Sequence, residues 1–400
     1  MREFANTTLI FLLAALGTTG CGETPRRDPA ADVIHHRDGA APPVSTGTAD
    51  APRASDDGGA DGGQESASSP TALGAFIAKM TAGQWQEFKG TGLEKLVRIP
   101  LSESDNDGCR NIITWCQKAH WHPATRQILY LGSPHLNDYR FIIYSADKNS
   151  WRVGPKTSYA CMYGEDPNAP HCGFHSFGRT TIDVASGRFY MTHGGAKPTQ
   201  PLFTYDIGKD TWSMKKVPGG GDSATGSTIF FPELKKFVFA GRWGRTLYDP
   251  VAEKTAPITL NGEVVYGTAQ PLHVTGVYLP RLGKVLFGGG NGRKSLFAID
   301  KTGSVTKLTD APDNIGQSAG NGLLTYDPVT QNALLYSGNG NFYEYDVKQD
   351  VWSQLPKPAV AKTLDDNLGH IAAVPIDTYG AVVLLIQTGQ VLVYKHEQGP

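Results

Sequence analysis

"LFTYDIGKDTW" at residues 202–212 and "FYEYDVKQDVW" at 342–352 follow one pattern: an apolar run, Tyr-Asp, a short polar stretch and a Trp. Related pieces are "IIYSADKNSW" (142–151), "RTLYDPVAEKT" (245–255) and "LFAIDKTGSV" (296–305). Their aspartates, Asp147, Asp206, Asp249, Asp300 and Asp346, are spaced by 59, 43, 51 and 46 residues, and "QVLVYKHEQ" puts Lys395 at the equivalent place 49 residues later. Self-similarity at such a period marks one structural unit repeated along the chain.

Each unit begins with a second recurring piece, a turn followed by an apolar strand and glycine: "HPATRQILYLG", "VASGRFYMTHGG", "PELKKFVFAG", "PRLGKVLFGGG", "DPVTQNALLYSGNG" and "DTYGAVVLLIQTG". Frequent Gly and Pro, short strand-like runs and no sustained helical period after "TALGAFIAKM" indicate an all-β chain. Strand, turn, strand, glycine, strand with Asp and a Trp-bearing strand make one four-stranded propeller blade. Six such blades are expected, or seven if residues 86–118 hide another. The last unit stops before its fourth strand. "AGQWQEFKG" around Trp85 looks like "KDTWSMKKV" around Trp212, and would close the ring and remove an open sheet edge.

Over residues 82–400 this sequence resembles the kelch and galactose-oxidase-like β-propellers. Gly194-Gly195 and Gly288-Gly289 match the paired glycines after the second strand of that family, and Trp151, Trp212 and Trp352 match its outer-strand aromatic. Galactose oxidase would bring copper held by two tyrosines and two histidines, with a cysteine joined to one tyrosine. No convincing Tyr-His pair stands here, so copper-radical chemistry is not carried over, and no cofactor or metal is expected.

The residues ahead of the repeats read differently. Met1–Gly20 opens with Arg2 and contains "TLIFLLAALG", too short to span a bilayer and suited to a secretion signal. "LGTTGC" resembles a bacterial lipobox, with Cys21 as the lipidated residue. Residues 22–70 contain no Phe, Trp or Tyr and are built of Ala, Asp, Gly, Pro and Ser, which predicts a disordered tether. Residues 71–400 form the propeller head. The expected location is the bacterial cell envelope, periplasmic or surface-exposed at the outer membrane, with the membrane touched only through an N-terminal lipid anchor.

The head has a small excess of scattered Lys and Arg, too mild to imply nucleic acid and compatible with an anionic glycan. Its four cysteines, Cys109, Cys116, Cys161 and Cys172, form an even count in an exported chain and suggest two disulfides, 109–116 and 161–172 by short-range pairing.

Blade geometry sorts the polar residues. Starts of first strands, second-to-third loops and blade connections share one face, and the first turns lie opposite. On the loop-bearing face fall His135, Asp138, His175, His193, His273 and His370. His175 and Arg179, beside the long connection 154–173 with its Tyr159 and Tyr163, could serve β-elimination on a uronate. A histidine would move the proton while an arginine neutralised the adjacent carboxylate. His120 and His122 alternate along one strand, His122 at a turn and open to solvent. Trp115, Trp121 and Trp243 offer either a sugar platform or inter-blade packing, packing being the commoner use.

The resulting expectation is an anchored monomeric propeller that binds a glycan or an envelope protein through its loop-bearing face. The alternative is a lyase acting on uronate-containing polysaccharide.

Overall fold

The computed structural model describes residues 70–98, 111–132, 139–156, 176, 178–192, 199–218, 226–241, 244–265, 273–316 and 322–396. The chain up to Ser69, with Cys21, lies outside them.

Six four-stranded antiparallel sheets are arranged as propeller blades. Their first strands are His120–His122, Thr180–Asp183, Ser227–Phe231, Thr275–Leu279, Leu323–Tyr326 and Ile371–Ile376, for blades 1 to 6. Blade 6 takes its outer strand from the start of the head: Trp85–Glu87 pairs with Val391–Tyr394, Trp85 opposite Tyr394. Trp85 stacks on Tyr394 with centroids 4.4 Å apart and meets Phe342 of blade 5 edge-on at 5.5 Å. The closure expected around Trp85 is therefore the observed one.

No seventh blade is present among the described residues. Between Phe88 and Lys118 the chain makes a short 3-10 turn, Leu93–Lys95, and an isolated bridge from Arg98 to Asn111. Leu93, Val97, Ile112 and Ile113 are instead buried in the apolar cluster between blades 6 and 1. The helix Ala72–Lys79 joins the same cluster through Leu73 and Ile77, its first turn capped by Thr71 Oγ1, which accepts from Gly74 N at 3.0 Å.

The repeated residues close the outer hairpins. The carboxylates of Asp206, Asp249, Asp300 and Asp346 accept N–H groups two to four residues ahead, for example Lys348 and Gln349 on Asp346 at 2.9 Å. These are side-chain-mediated turns of the kind Asp favours. Tyr205 and Tyr345 donate to Asp210 and Asp350, residues with positive φ in those turns, and pack on Trp212 and Trp352. Blade 1 departs from the expected alignment. Ser145 accepts the Lys148 N–H there, whereas Asp147 pairs with Arg126 at 2.7 Å.

Blades stack face to face, so inner strands are covered on both sides and lose the alternation of a half-exposed sheet. Ala381–Ile386 is buried throughout, whereas the outer strand Val351–Leu355 is largely open. At Gly289 φ is +66°, and a Cβ would sit 2.2 Å from the Ile315 carbonyl oxygen. This explains the second glycine of that pair. Gly194-Gly195 lies outside the described residues.

Among the described residues no disulfide is found, against the expected 109–116 pairing. Cys116 is buried in the cluster between blades 6 and 1, and its Sγ accepts the Ser176 N–H at 3.2 Å. Cys109, Cys161 and Cys172 lie outside the described residues.

Candidate functional site

His135, Asp138, Tyr159, Tyr163, His175 and His193 lie outside the described residues. Arg179 does not present its guanidinium to a surface. It is fully buried, Nε donating to Ser176 O at 3.4 Å and one terminal nitrogen to Tyr139 Oη at 3.4 Å. Its burial fits a side chain that ties the start of blade 2 to blade 1. His273 is buried, with Nδ1 2.6 Å from Asn291 Oδ1, and the half-buried His370 ring packs on Trp115 with centroids 5.0 Å apart. Burial lowers the His370 pKa and favours its neutral form. These two histidines brace loops and do not converge with Arg179 on a shared pocket among the described residues.

His122 is also buried, contrary to its expected exposure, with Nδ1 2.8 Å from Thr125 Oγ1 in its own turn. Trp121 is buried and donates to Thr378 Oγ1 at 3.0 Å. Trp115 and Trp121 thus pack between chain segments, and Trp243 lies outside the described residues.

A cavity of about 550 Å³ runs along the axis, lined by the first strands of all six blades. That is within the usual range for small-ligand sites. Each lining strand is the inner edge of its sheet, so backbone groups left over from sheet pairing border the space. Ala119, Ile182, Ile229, Phe230, Val277 and Leu324 give the middle an apolar wall.

At one end Pro123, Ala185, Pro232, Pro280, Tyr326 and Asp377, one from each blade's first turn or the residues beside it, ring a mouth. This is the face opposite the loop-bearing one. Tyr326 donates to Asp377 Oδ2 at 3.0 Å and Tyr278 to Glu233 Oε1 at 2.9 Å. Arg281 is held at the rim, donating from its side chain to Val329 O at 3.1 Å. Asp377 is open to solvent, yet the surrounding protein desolvates it enough to raise its pKa, against the opposing effects of Tyr326, Gln331 and Arg281.

The other end holds Gln117, Lys118 and His120. Lys118 lies two residues ahead of the first strand of blade 1, bridged to Ala373 of blade 6, and its Nζ reaches Gly178 O at 3.1 Å and Ser227 Oγ at 2.5 Å. Both acceptors are neutral, and no carboxylate of the described residues forms an ion pair with it. Burial lowers the Lys118 pKa to about 7. His120 Nε2 is 3.1 Å from Thr180 Oγ1, and burial first, then the Lys118 charge, lowers its pKa to about 3. Gln117 is 4% exposed, and neither polar atom of its side chain has a hydrogen-bond partner.

Sequence reasoning singled out His120 but passed over Lys118, two residues earlier and just ahead of that strand. Extended back to the bridge at Lys118, the period of two that pairs His120 with His122 also puts Lys118 on their side.

No family model and no curated protein matches the chain. Among solved structures, it resembles TolB from Acinetobacter baumannii at 13% identity and a TM-score of 0.36, covering 70% of this chain and 54% of that one. This chain thus spans about half the length of that TolB. A chain of the Mitotic Checkpoint Complex is similar at 9% identity and a TM-score of 0.45, over 80% of this chain and 96% of that one. The extracellular domain of the one component system BT4673 from B. thetaiotaomicron is similar at 13% identity and a TM-score of 0.43, over 73% of this chain and 34% of that one.

Proposed function

We propose that this chain is an exported, envelope-anchored recognition module, with a kelch-like propeller head that takes a small ligand into its central channel from the face carrying the first turns. The observation that carries the reading is the axial cavity, about 550 Å³, bordered by all six first strands and polar at both ends. Export and anchoring rest on the signal-like run before Cys21 and on the tether composition that follows. A glycan or an envelope protein on the loop-bearing face remains the competing recognition mode. The lyase alternative loses its carboxylate-neutralising group, because Arg179 is fully buried.

The test is thermal-shift screening of the purified protein against small organic acids, their neutral counterparts and short oligosaccharides, beside a Val277→Trp variant that fills the channel. A ligand that binds only the folded state raises its melting temperature. The expected result is a ligand that raises the melting temperature of the wild type and leaves the still-folded variant unmoved. Binding that survives Val277→Trp unchanged would move the site to the loop-bearing face.

A further inference from the structure

The polar groups of the channel are unevenly matched. At the mouth, Tyr326 is paired with Asp377 and Tyr278 with Glu233, and Arg281 has a backbone acceptor. At the inner end, Lys118 has two neutral acceptors, which leaves a third tetrahedral position on its nitrogen unused. The adjacent Gln117 amide is buried with neither its donor nor its acceptor satisfied. An unpaired buried amide and a half-buried ammonium that meets no countercharge both cost free energy, so their occurrence together marks a site completed by something other than the protein.

We infer that the inner end of the channel is a carboxylate site: Lys118 holds the carboxylate of a small organic monoacid whose apolar body lies along the channel toward the mouth. This rests on the channel reading above and adds the ligand class. A single negative charge follows from the layout. Lys118 is the one lysine or arginine bordering the inner end among the described residues, whereas Asp183, Glu233 and Asp377 lie at or beside the mouth against Arg281, so a second carboxylate there would be repelled. The apolar body follows from the wall of Ile182, Ile229, Phe230, Val277 and Leu324, which offers a sugar ring few side-chain hydrogen bonds. Length follows from the strands. Asp377 lies four residues beyond Ala373, the bridge partner of Lys118, a span of roughly 13 Å at the rise of a strand.

Proton linkage gives the site a second signature. Among the described residues, the groups around Lys118 are Gly178 and Thr180 at the start of blade 2, Ser227 of blade 3, Ala373 of blade 6 and, in its own segment, Gln117 and His120. His120 alone among these titrates, and it is neutral at physiological pH. A bound carboxylate favours the ammonium form, so above neutral pH binding takes up a proton.

The experiment is titration calorimetry of the purified protein with 3-phenylpropanoate and with 3-phenylpropanamide, which has the same body without the charge. At pH 6.5 the acid is expected to bind at least tenfold more tightly than the amide. Lys118→Met should remove that preference, and at pH 8 binding of the acid to the wild type should show proton uptake across buffers of different ionisation heat. Lys118→Gln serves if the methionine variant fails to melt cooperatively. Equal binding of acid and amide, a preference that survives loss of Lys118, or no binding of the acid would overturn the carboxylate site. Acid and amide binding of equal strength, both abolished by Val277→Trp, would leave the channel reading standing while this one fell.

Discussion

The two ends of the channel are built by the same six strands, yet they handle polar groups in opposite ways. At the mouth, blades 3 and 4 share Glu233 and Tyr278, and blades 5 and 6 share Tyr326 and Asp377. Neighbouring blades thus satisfy one another's side chains close to solvent, where a hydrogen bond carries a modest net benefit. At the inner end, Lys118 reaches Gly178 and Ser227, at the starts of blades 2 and 3, and forms no ion pair among the described residues. The difference separates groups that hold the ring together from groups that the ring holds ready.

The sharpest way to break the comparison is to open the ring, since both ends depend on its closure. Trp85 fastens the borrowed strand through Tyr394 and Phe342. Trp85→Ala is expected to cost ~3 kcal/mol, at the low end for truncation of a large aromatic because Trp85 is only half-buried. Chemical denaturation followed by fluorescence would measure it. A loss below ~1 kcal/mol would mean that the ring holds without this strand.

A smaller effect distinguishes the inner end by its pH dependence. The folded-state pKa of Lys118, about 7, lies below the ordinary lysine value, so between about 7 and 10 the unfolded chain binds more protons than the folded one. Stability therefore rises with pH across that window. The penalty of burying the charge is fully present below it. Lys118→Met lacks this slope. Its melting temperature relative to wild type should be highest below pH 7 and should fall by at least about 2 °C by pH 10, the shift ~1 kcal/mol produces in a domain of this class. Parallel melting curves for the two proteins across pH 6 to 10 would remove Lys118 as a desolvated, uncompensated charge.

The architecture was legible because the repeat is written in residues with backbone duties. The Tyr-Asp pairs close outer hairpins, Trp212 and Trp352 cover the tyrosines, and Trp85 supplies the last strand. Each duty is local, or repeats at the blade period, and so leaves a mark in one dimension. The pairing of Ser145, not Asp147, with the turn of blade 1 shows the limit, since one pattern can be met in two registers. The channel was much less legible. Its two ends are assembled from positions scattered over all six blades, and Lys118 looks like any strand-end lysine until Gly178, Ser227 and Ala373 are seen around it. Conversely, Arg179 was expected to serve catalysis and His273 binding, and both are buried with hydrogen-bond partners within the ring, a placement that residue type alone does not reveal.

The smallest effect is expected at the mouth, where Asp377→Asn keeps an acceptor for Tyr326 but removes a charge. Desolvation holds the Asp377 pKa above its ordinary value, so between the unfolded and folded values the folded protein binds more protons. The native charge therefore costs stability at neutral pH, and that cost disappears as pH falls below the unfolded value, near 4. Asp377→Asn should raise the melting temperature slightly at pH 7 and lose that gain toward pH 4. Tyr326→Phe, which strips the hydrogen bond and leaves the carboxylate, should lower it. Opposite signs for these two variants would make the mouth pair a structural contact whose charge is incidental. A loss of stability in both would mean that the carboxylate itself is needed there, and the contrast with Lys118 would narrow to one of depth in the channel.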